Sequence, residues 1–84
     1  MTYAQFIASI KKFGWERMKM YGEVWECPKD EFASYRAFVK DGAVILGYDL
    51  NGTIFNIHDE AITFLAAEMI ISILGWKQRG ENNG

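Results

Sequence analysis

The sequence predicts an α+β fold in which an N-terminal helix, an antiparallel β-meander and a C-terminal apolar helix form one domain. The first indication is a pair of dipeptides, Asp41-Gly42 and Asn51-Gly52, each lying between runs with alternating apolar residues. Both dipeptides suit two-residue hairpin turns of type I′, whose central residues need positive φ. The second indication is helical spacing of apolar residues before and after these runs. Eighty-four residues, half of them hydrophobic, suffice for one small domain.

The two turns also predict how the meander pairs. A two-residue loop fixes the register, so Val39 is expected opposite Val44 and Tyr48 opposite Phe55. The two registers assign side chains to the same two faces of the sheet. The face expected to be core contains Tyr35, Ala37, Val39, Val44, Leu46, Tyr48, Leu50, Phe55 and Ile57. The opposite face is mostly polar and carries an apolar island of Phe38, Ile45 and Ile54.

The meander is preceded by a predicted helix over residues 2–13 and a less regular segment over 15–27. Thr2 and Gln5 form a capping box at the start of the helix, and Gly14 suits the position after its end. For residues 15–27, two further strands around Tyr21-Gly22 are favoured. The alternative is a continuation of the helix past Gly14, with Met18 and Tyr21 in helical phase.

A second helix is predicted over about residues 59–76, with Asp59 and Glu60 in its first turn. Its main apolar stripe consists of Ile62, Leu65, Ala66, Met69, Ile73 and Trp76. A helix this apolar is expected to be buried on more than one side, against the sheet and first helix or in a homodimer. The domain is therefore assigned to residues 1–76, and residues 77–84 are expected to form a flexible tail.

Composition disfavours several classes of function. The formal net charge of −2 gives no overall basic footprint for nucleic acid. The single cysteine, Cys27, excludes an internal disulfide, no signal peptide is recognisable, and the longest apolar run is too short for a bilayer span, so we expect a cytoplasmic protein.

Catalytic and cofactor motifs are likewise not recognisable in the sequence. His58 is the only histidine, and neither a zinc site nor a Cys27–His58 dyad is favoured around it. We expect a protein that is not an enzyme and holds no metal or cofactor.

Two surfaces are candidates for binding a protein partner. The first is an acidic patch that could attract a basic surface, formed by Glu23, Glu26, Asp30 and Glu31. The second is an apolar patch on the sheet that could anchor an interface, formed by Trp25, Arg36, Phe38, Ile45 and Ile54.

An alternative face for RNA or DNA alternates basic and aromatic residues. If residues 15–20 are extended, Trp15, Arg17 and Lys19 share one side of a strand, with Lys11 and Lys12 nearby. Aromatic rings can stack on bases while lysine and arginine bind phosphates.

The order helix, three strands, helix resembles the double-stranded RNA-binding domain and the HicA-type ribonuclease toxins that use a compact form of it. The segment IKKFGWERMKMYGEVWECP is similar to the toxin pattern at Gly14, Trp15 and Gly22. Glu23 and Val24 stand where the toxins carry their catalytic Ser-His pair, and His58-Asp59-Glu60 stand where the RNA-binding family places a lysine cluster. The resemblance therefore implies a fold without the families' functional residues.

The function expected from the sequence is that of a small non-catalytic protein-binding domain. It would be an inhibitor or regulator of the kind encoded by phages and mobile elements, anti-CRISPR-like or antitoxin-like. It would act by occluding a surface of its partner.

Overall fold

The computed structural model describes the backbone of residues 1–83 and the side chains of residues 1–74. Two helices pack on one face of a five-stranded antiparallel sheet of order β1-β2-β3-β4-β5, which confirms the predicted α+β class. The helices are α1 (Tyr3–Lys12) and α2 (Phe64–Asn83). The strands are β1 (Glu16–Arg17), β2 (Glu23–Pro28), β3 (Ala33–Lys40), β4 (Ala43–Leu50) and β5 (Thr53–Asn56).

Both predicted hairpins are present with the predicted register. Val39 pairs with Val44 across the first turn, and Tyr48 pairs with Phe55 across the second. Asp41 and Asn51 adopt φ of 52° and 53°, and the glycines after them are also at positive φ, as type I′ turns require.

The predicted N-terminal helix is also confirmed. The Thr2 hydroxyl accepts a hydrogen bond from the Gln5 backbone, and the Gln5 side chain accepts one from the Thr2 backbone. These two bonds satisfy N–H groups that the first helical turn leaves unpaired. Gly14 ends the helix at φ +88°, a conformation that glycine adopts without strain.

Residues 15–27 form strands, as favoured, and not an extension of α1. β1 has only two residues, because the backbone turns away after Arg17 and returns at Gly22, which has φ +76°. Glu16 and Arg17 pair with Glu26 and Trp25 of β2. The predicted strand face of Trp15, Arg17 and Lys19 is therefore wrong, because Trp15 and Lys19 lie outside β1 and Trp15 is buried.

The second helix begins and ends later than predicted. Ile62 is held in extended backbone by two hydrogen bonds with Val44, of 2.8 and 2.9 Å, so the segment before it cannot be helical. The Thr63 hydroxyl then accepts a hydrogen bond from the Ala66 backbone at 3.1 Å and caps the helix, so Asp59 and Glu60 precede α2 and do not form its first turn as predicted. The backbone of α2 runs past residue 76 to Asn83. The predicted flexibility of residues 77–84 stays a prediction, and Gly84 and the side chains from residue 75 onward, Trp76 included, lie outside the described part.

The later start also reverses the predicted orientation of α2. Ala67 and Ile71 are fully buried, whereas Leu65, Met69 and Ile73 of the predicted stripe are 53%, 60% and 60% exposed. The small side chain of Ala67 lets α2 approach the rest of the core closely, which explains why this side of the helix is the buried one.

The core lies between the two helices and one face of the sheet. Tyr3 and Lys11 contact Glu23 and Trp25, which places α1 over β2, and α2 contacts β4 and α1. The buried cluster comprises Phe6, Ile10, Trp15, Trp25, Cys27, Ala37, Val44, Leu46, Ala67 and Ile71. Leu50, Phe55 and Ile57 were expected in this core but are 45–53% exposed, because the described part of α2 packs on β4 and leaves them open to solvent. None of the described helical segments has the length and hydropathy to cross a membrane.

Candidate protein-binding surface on the outer sheet face

The face of the sheet turned away from the helices, called the outer face below, carries four rows of side chains, of which the one formed by Lys40 and Ala43 lies next to the apolar row described below. Strand pairing defines the rows, because paired residues project to the same side. The apolar row is Val24, Phe38 and Ile45. The middle row is Glu16, Glu26, Arg36, Gly47 and Asn56. The third row is Pro28, Ser34, Asp49 and Ile54.

An acidic depression lies where the middle and third rows meet the β2–β3 loop. It has a volume of about 300 Å³ and is lined by four carboxylates, those of Glu26, Asp30, Glu31 and Asp49, and by the guanidinium of Arg36. Glu31 is exposed. Carboxylates that outnumber their cationic partner create a negative potential that favours approach of a basic group.

Arg36 organises this depression. Its Nη2 lies 2.8 Å from Asp49 Oδ2 and 3.7 Å from Glu26 Oε2, so from β3 it binds one carboxylate on each of the two strands beside it. The side chains of Arg36 and Asp49 are each only 15% exposed, which strengthens their attraction relative to a solvated pair. Arg36 Nε is buried and has no hydrogen-bond partner within the described part of the chain.

The β2–β3 loop is fixed by one of the same acids. Asp30 Oδ1 accepts hydrogen bonds from the backbone of Phe32 at 2.8 Å and of Ala33 at 2.9 Å. Such a turn presets the position of Glu31 on the rim without using the Glu31 carboxylate.

The predicted apolar patch is largely present beside the depression. Phe38 and Ile45 are partly exposed on the apolar row, and Ile54 is exposed on the third row. Gly47 lies between them, because a Cβ atom there would stand 3.2 Å from Phe38 Cε2 and 3.6 Å from Ile54 Cγ2. The phenyl ring and the isoleucine therefore close over the glycine and form one continuous apolar area.

Two predicted members belong to the opposite face. Trp25 is buried in the core and its indole donates to Glu23 Oε2 at 2.8 Å. Glu23 also accepts a hydrogen bond from the Tyr3 hydroxyl, which raises the pKa of Tyr3, with burial adding to the effect. Including Trp25 in the apolar patch and Glu23 in the acidic patch was wrong, since β2 alternates and these two residues face α1.

Two outer-face residues were not predicted as site residues. Val24 occupies the place in the apolar row that was given to Trp25, and Asp49 contributes the closest carboxylate to Arg36. The predicted register already placed Asp49 beside Arg36, so the signal for Asp49 was present. Val24 could be found only once the register of β2 was known.

The alternative nucleic-acid face is only partly assembled. Lys11 and Arg17 line a groove of about 690 Å³ between α1 and the start of the sheet, together with Tyr3, Trp15 and Trp25. Trp15 and Trp25 are 2% and 5% exposed, and the Lys11 ammonium lies 5.8 Å from the centre of the Trp25 ring. Lys12 and Lys19 do not line this groove. Because the rings are covered, their faces are not available for stacking on bases.

His58 has a structural role in this geometry. Its Nε2 accepts a hydrogen bond from the Leu46 backbone at 2.9 Å, and its Nδ1 lies 2.6 Å from the Glu60 carbonyl. The first bond requires an unprotonated Nε2, so the second must be donated by Nδ1–H. The side chain thereby ties the loop after β5 to β4. Cys27 lies in the core, where burial and the nearby charge of Glu26 raise the pKa of its thiol.

Comparison of the chain with protein-family models, with curated proteins and with solved structures finds no match. The resemblance to RNA-binding domains and HicA-type toxins therefore stays a prediction from element order. The functional argument depends on the chemistry of the surface itself.

Proposed function

We propose that this chain is a small non-catalytic protein-binding domain whose outer sheet face docks onto a basic surface of another protein. The observation that carries the proposal is the adjacency of the acidic depression to the apolar patch of Phe38, Ile45 and Ile54. An interface of this kind combines an apolar centre with a charged rim, where the charges set orientation and association rate.

The rigidity of the depression supports a binding role. Arg36 holds the side chain of Asp49, and Asp30 is held by the turn it caps, so these carboxylates are positioned before a partner arrives. Preorganised side chains lose little conformational entropy on binding. A lysine or arginine of the partner could enter the depression opposite Glu31 while apolar side chains of the partner cover Ile54.

Such docking suits an inhibitor or regulator. A partner surface that binds nucleic acid is basic, and the carboxylates grouped around the β2–β3 loop would occupy it in place of phosphates. The phage or mobile-element origin and the anti-CRISPR-like or antitoxin-like role remain part of this proposal, resting on size and acidity alone.

The proposal is tested by affinity capture from lysate of the source cell after nuclease treatment, using charge-matched variants. Glu31→Lys removes the exposed carboxylate of the rim, and Asp59→Lys makes the same charge change on an exposed loop that does not line the depression. Ile54→Asp tests the apolar patch separately. We expect a stoichiometric protein that is retained by the wild type and by Asp59→Lys but lost with Glu31→Lys and with Ile54→Asp.

Three results would contradict the proposal. One is capture of the same protein by all four forms, which would move binding to another face. A second is equal loss with both lysine variants, which would indicate an effect of net charge alone. The third is retention of nucleic acid without protein when nuclease is omitted, which would favour the groove beside Lys11 and Arg17.

A further inference from the structure

The helix-covered face of the sheet carries a second surface, which is independent of the outer face. Within residues 1–74, α1 packs over β2 and α2 packs over β4, whereas Leu50 and Phe55 beside the turn between β4 and β5 stay about half exposed. The resulting open groove has a volume of about 540 Å³ and is lined by Phe32, Leu50, Asn51, Thr53 and Phe55. Strand pairing places Leu50 and Phe55 on the same face as the buried Leu46, so the groove continues the core into solvent.

The second helix presents the complementary feature. Leu65, Met69 and Ile73, called the helix stripe below, recur every fourth residue and are each more than half exposed. With 3.6 residues per turn, the stripe lies roughly half a turn away from the buried Ala67 and Ile71. The helix therefore has one side on its own sheet and an equally apolar side turned away from it.

We propose that the chain forms a two-fold symmetric homodimer in which the helix stripe of each copy fills the open groove of the other. The groove is a sheet face that lacks a helix, and the stripe is a helix face that lacks a sheet. In the dimer, the partner's α2 packs over β5 of this chain, next to this chain's own α2. The helices of both copies then form one layer between the two sheets. Because one patch fits the other and both occur on one chain, a two-fold axis buries both at once.

The area of the two patches agrees with this arrangement. Large apolar side chains expose about 150–250 Å² when free, so residues near half exposure present roughly 100 Å² each. The groove residues Phe32, Leu50 and Phe55, with Ile57 on the same face and the three residues of the stripe, then offer about 700 Å² per copy. A stable interface buries about 800 Å² per partner, which neither patch alone approaches.

The dimer leaves the outer face of both sheets free. The two acidic depressions would lie on opposite sides of the assembly, available to two partner molecules. Failure of the dimer would leave the proposed function intact, and the reverse also holds.

The test measures mass in solution by light scattering at protein concentrations from micromolar to about 1 mM, a range that would reveal even a millimolar Kd. We expect the wild-type mass to rise from the 9.6 kDa of the chain at micromolar concentration to twice that value near 1 mM. Met69→Glu in the stripe and Phe55→Glu in the groove should each give the monomer mass. Ile54→Glu, at a similarly exposed position on the outer face, is the control and should remain dimeric. Far-UV circular dichroism checks that each variant is folded.

Mixing the two disrupted variants distinguishes this arrangement from other dimers. Met69→Glu retains an intact groove and Phe55→Glu retains an intact stripe, so the mixture should recover a heterodimer with one good contact. A monomeric wild type would overturn the proposal. A dimer that tolerates Phe55→Glu would also overturn it, since that result indicates contact between helices alone. Two monomeric variants that do not associate on mixing would exclude the reciprocal contact.

Discussion

The two halves of the helix-covered sheet face have similar sequence patterns and opposite environments. On β2 and β3, Trp25, Cys27 and Ala37 are buried to 5% exposure or less. Over the far end of β4 and over β5, Leu50 and Phe55 alternate in the same way and remain about half exposed. The difference arises because the described parts of α1 and α2 contact β2 and β4 and leave Leu50 and Phe55 open to solvent. Alternation within a strand therefore predicts which face is apolar, while the layer above decides whether that face is buried.

The largest effect is expected when a phenylalanine in each half is replaced with alanine. Phe6 stacks on Phe64 at 5.2 Å between ring centres and is fully buried, so Phe6→Ala should lower the free energy of unfolding by about 3–5 kcal/mol. Phe55→Ala should cost less than about 1 kcal/mol when urea unfolding is followed at micromolar protein. Similar losses at the two sites would refute the distinction between a filled and an open half.

His58 lies at the boundary between the halves, and its replacement gives a smaller effect. His58→Ala leaves the backbone N–H of the buried Leu46 without its acceptor, which should cost about 1–3 kcal/mol. Asp59→Ala next to it is exposed and should change stability by less than about 0.5 kcal/mol. Chemical denaturation of both variants measures the difference, and an unaffected His58→Ala would mean that the loop holds without this bond.

The two turns should behave alike, although one lies at each end of β4. A Cβ atom at Gly42 or Gly52 would meet no atom within 4 Å, so alanine there carries only the backbone penalty of positive φ. Each substitution should cost about 1 kcal/mol in urea unfolding. Equal losses of unfolding free energy at the two turns would indicate that the contrast between the halves arises from packing. A much smaller loss at Gly52 would show that the second hairpin is locally loose.

The smallest effect concerns Cys27 in the filled half. Burial is the main cause of its raised thiol pKa, so the fold holds the thiol neutral at a pH where the unfolded chain, near pKa ~8.5, begins to ionise. This contribution to stability is complete below that range and decreases as the pH rises through it. The loss of stability between pH 7 and pH 10 should therefore be smaller in Cys27→Ala than in the wild type. An identical loss in both proteins would show that the thiol is accessible to water.

Local signals in the sequence were sufficient for α1, both hairpins and the register of the meander. Thr2, Asp41-Gly42 and Asn51-Gly52 each specify backbone geometry through contacts within a few residues. The orientation of α2 was predicted incorrectly because it depends on a distant contact. Backbone pairing of Ile62 with Val44 delays the helix and turns Ala67 inward, which no periodicity within residues 59–76 could reveal.

The candidate site was also predicted correctly where local signals sufficed and incorrectly where distant contacts decide. Arg36, Phe38, Ile45 and Ile54 were placed on one face correctly, because that inference needed only the register of the meander. Glu23 and Trp25 were misplaced because the phase of β2 is set by its pairing with β3, which the sequence between them does not specify. The burial of Trp15, which removes the stacking surface from the alternative face, depends on the packing of α1.

Amide hydrogen exchange at two protein concentrations is the most direct test of the central contrast between the filled and the open half. At micromolar concentration, the amides of β5 should exchange much faster than those of β2 and β3. At millimolar concentration, the exchange of β5 should slow markedly while that of β2 and β3 stays the same, because a second copy then covers the open groove. Slow exchange of β5 at both concentrations, or fast exchange at both, would contradict the account.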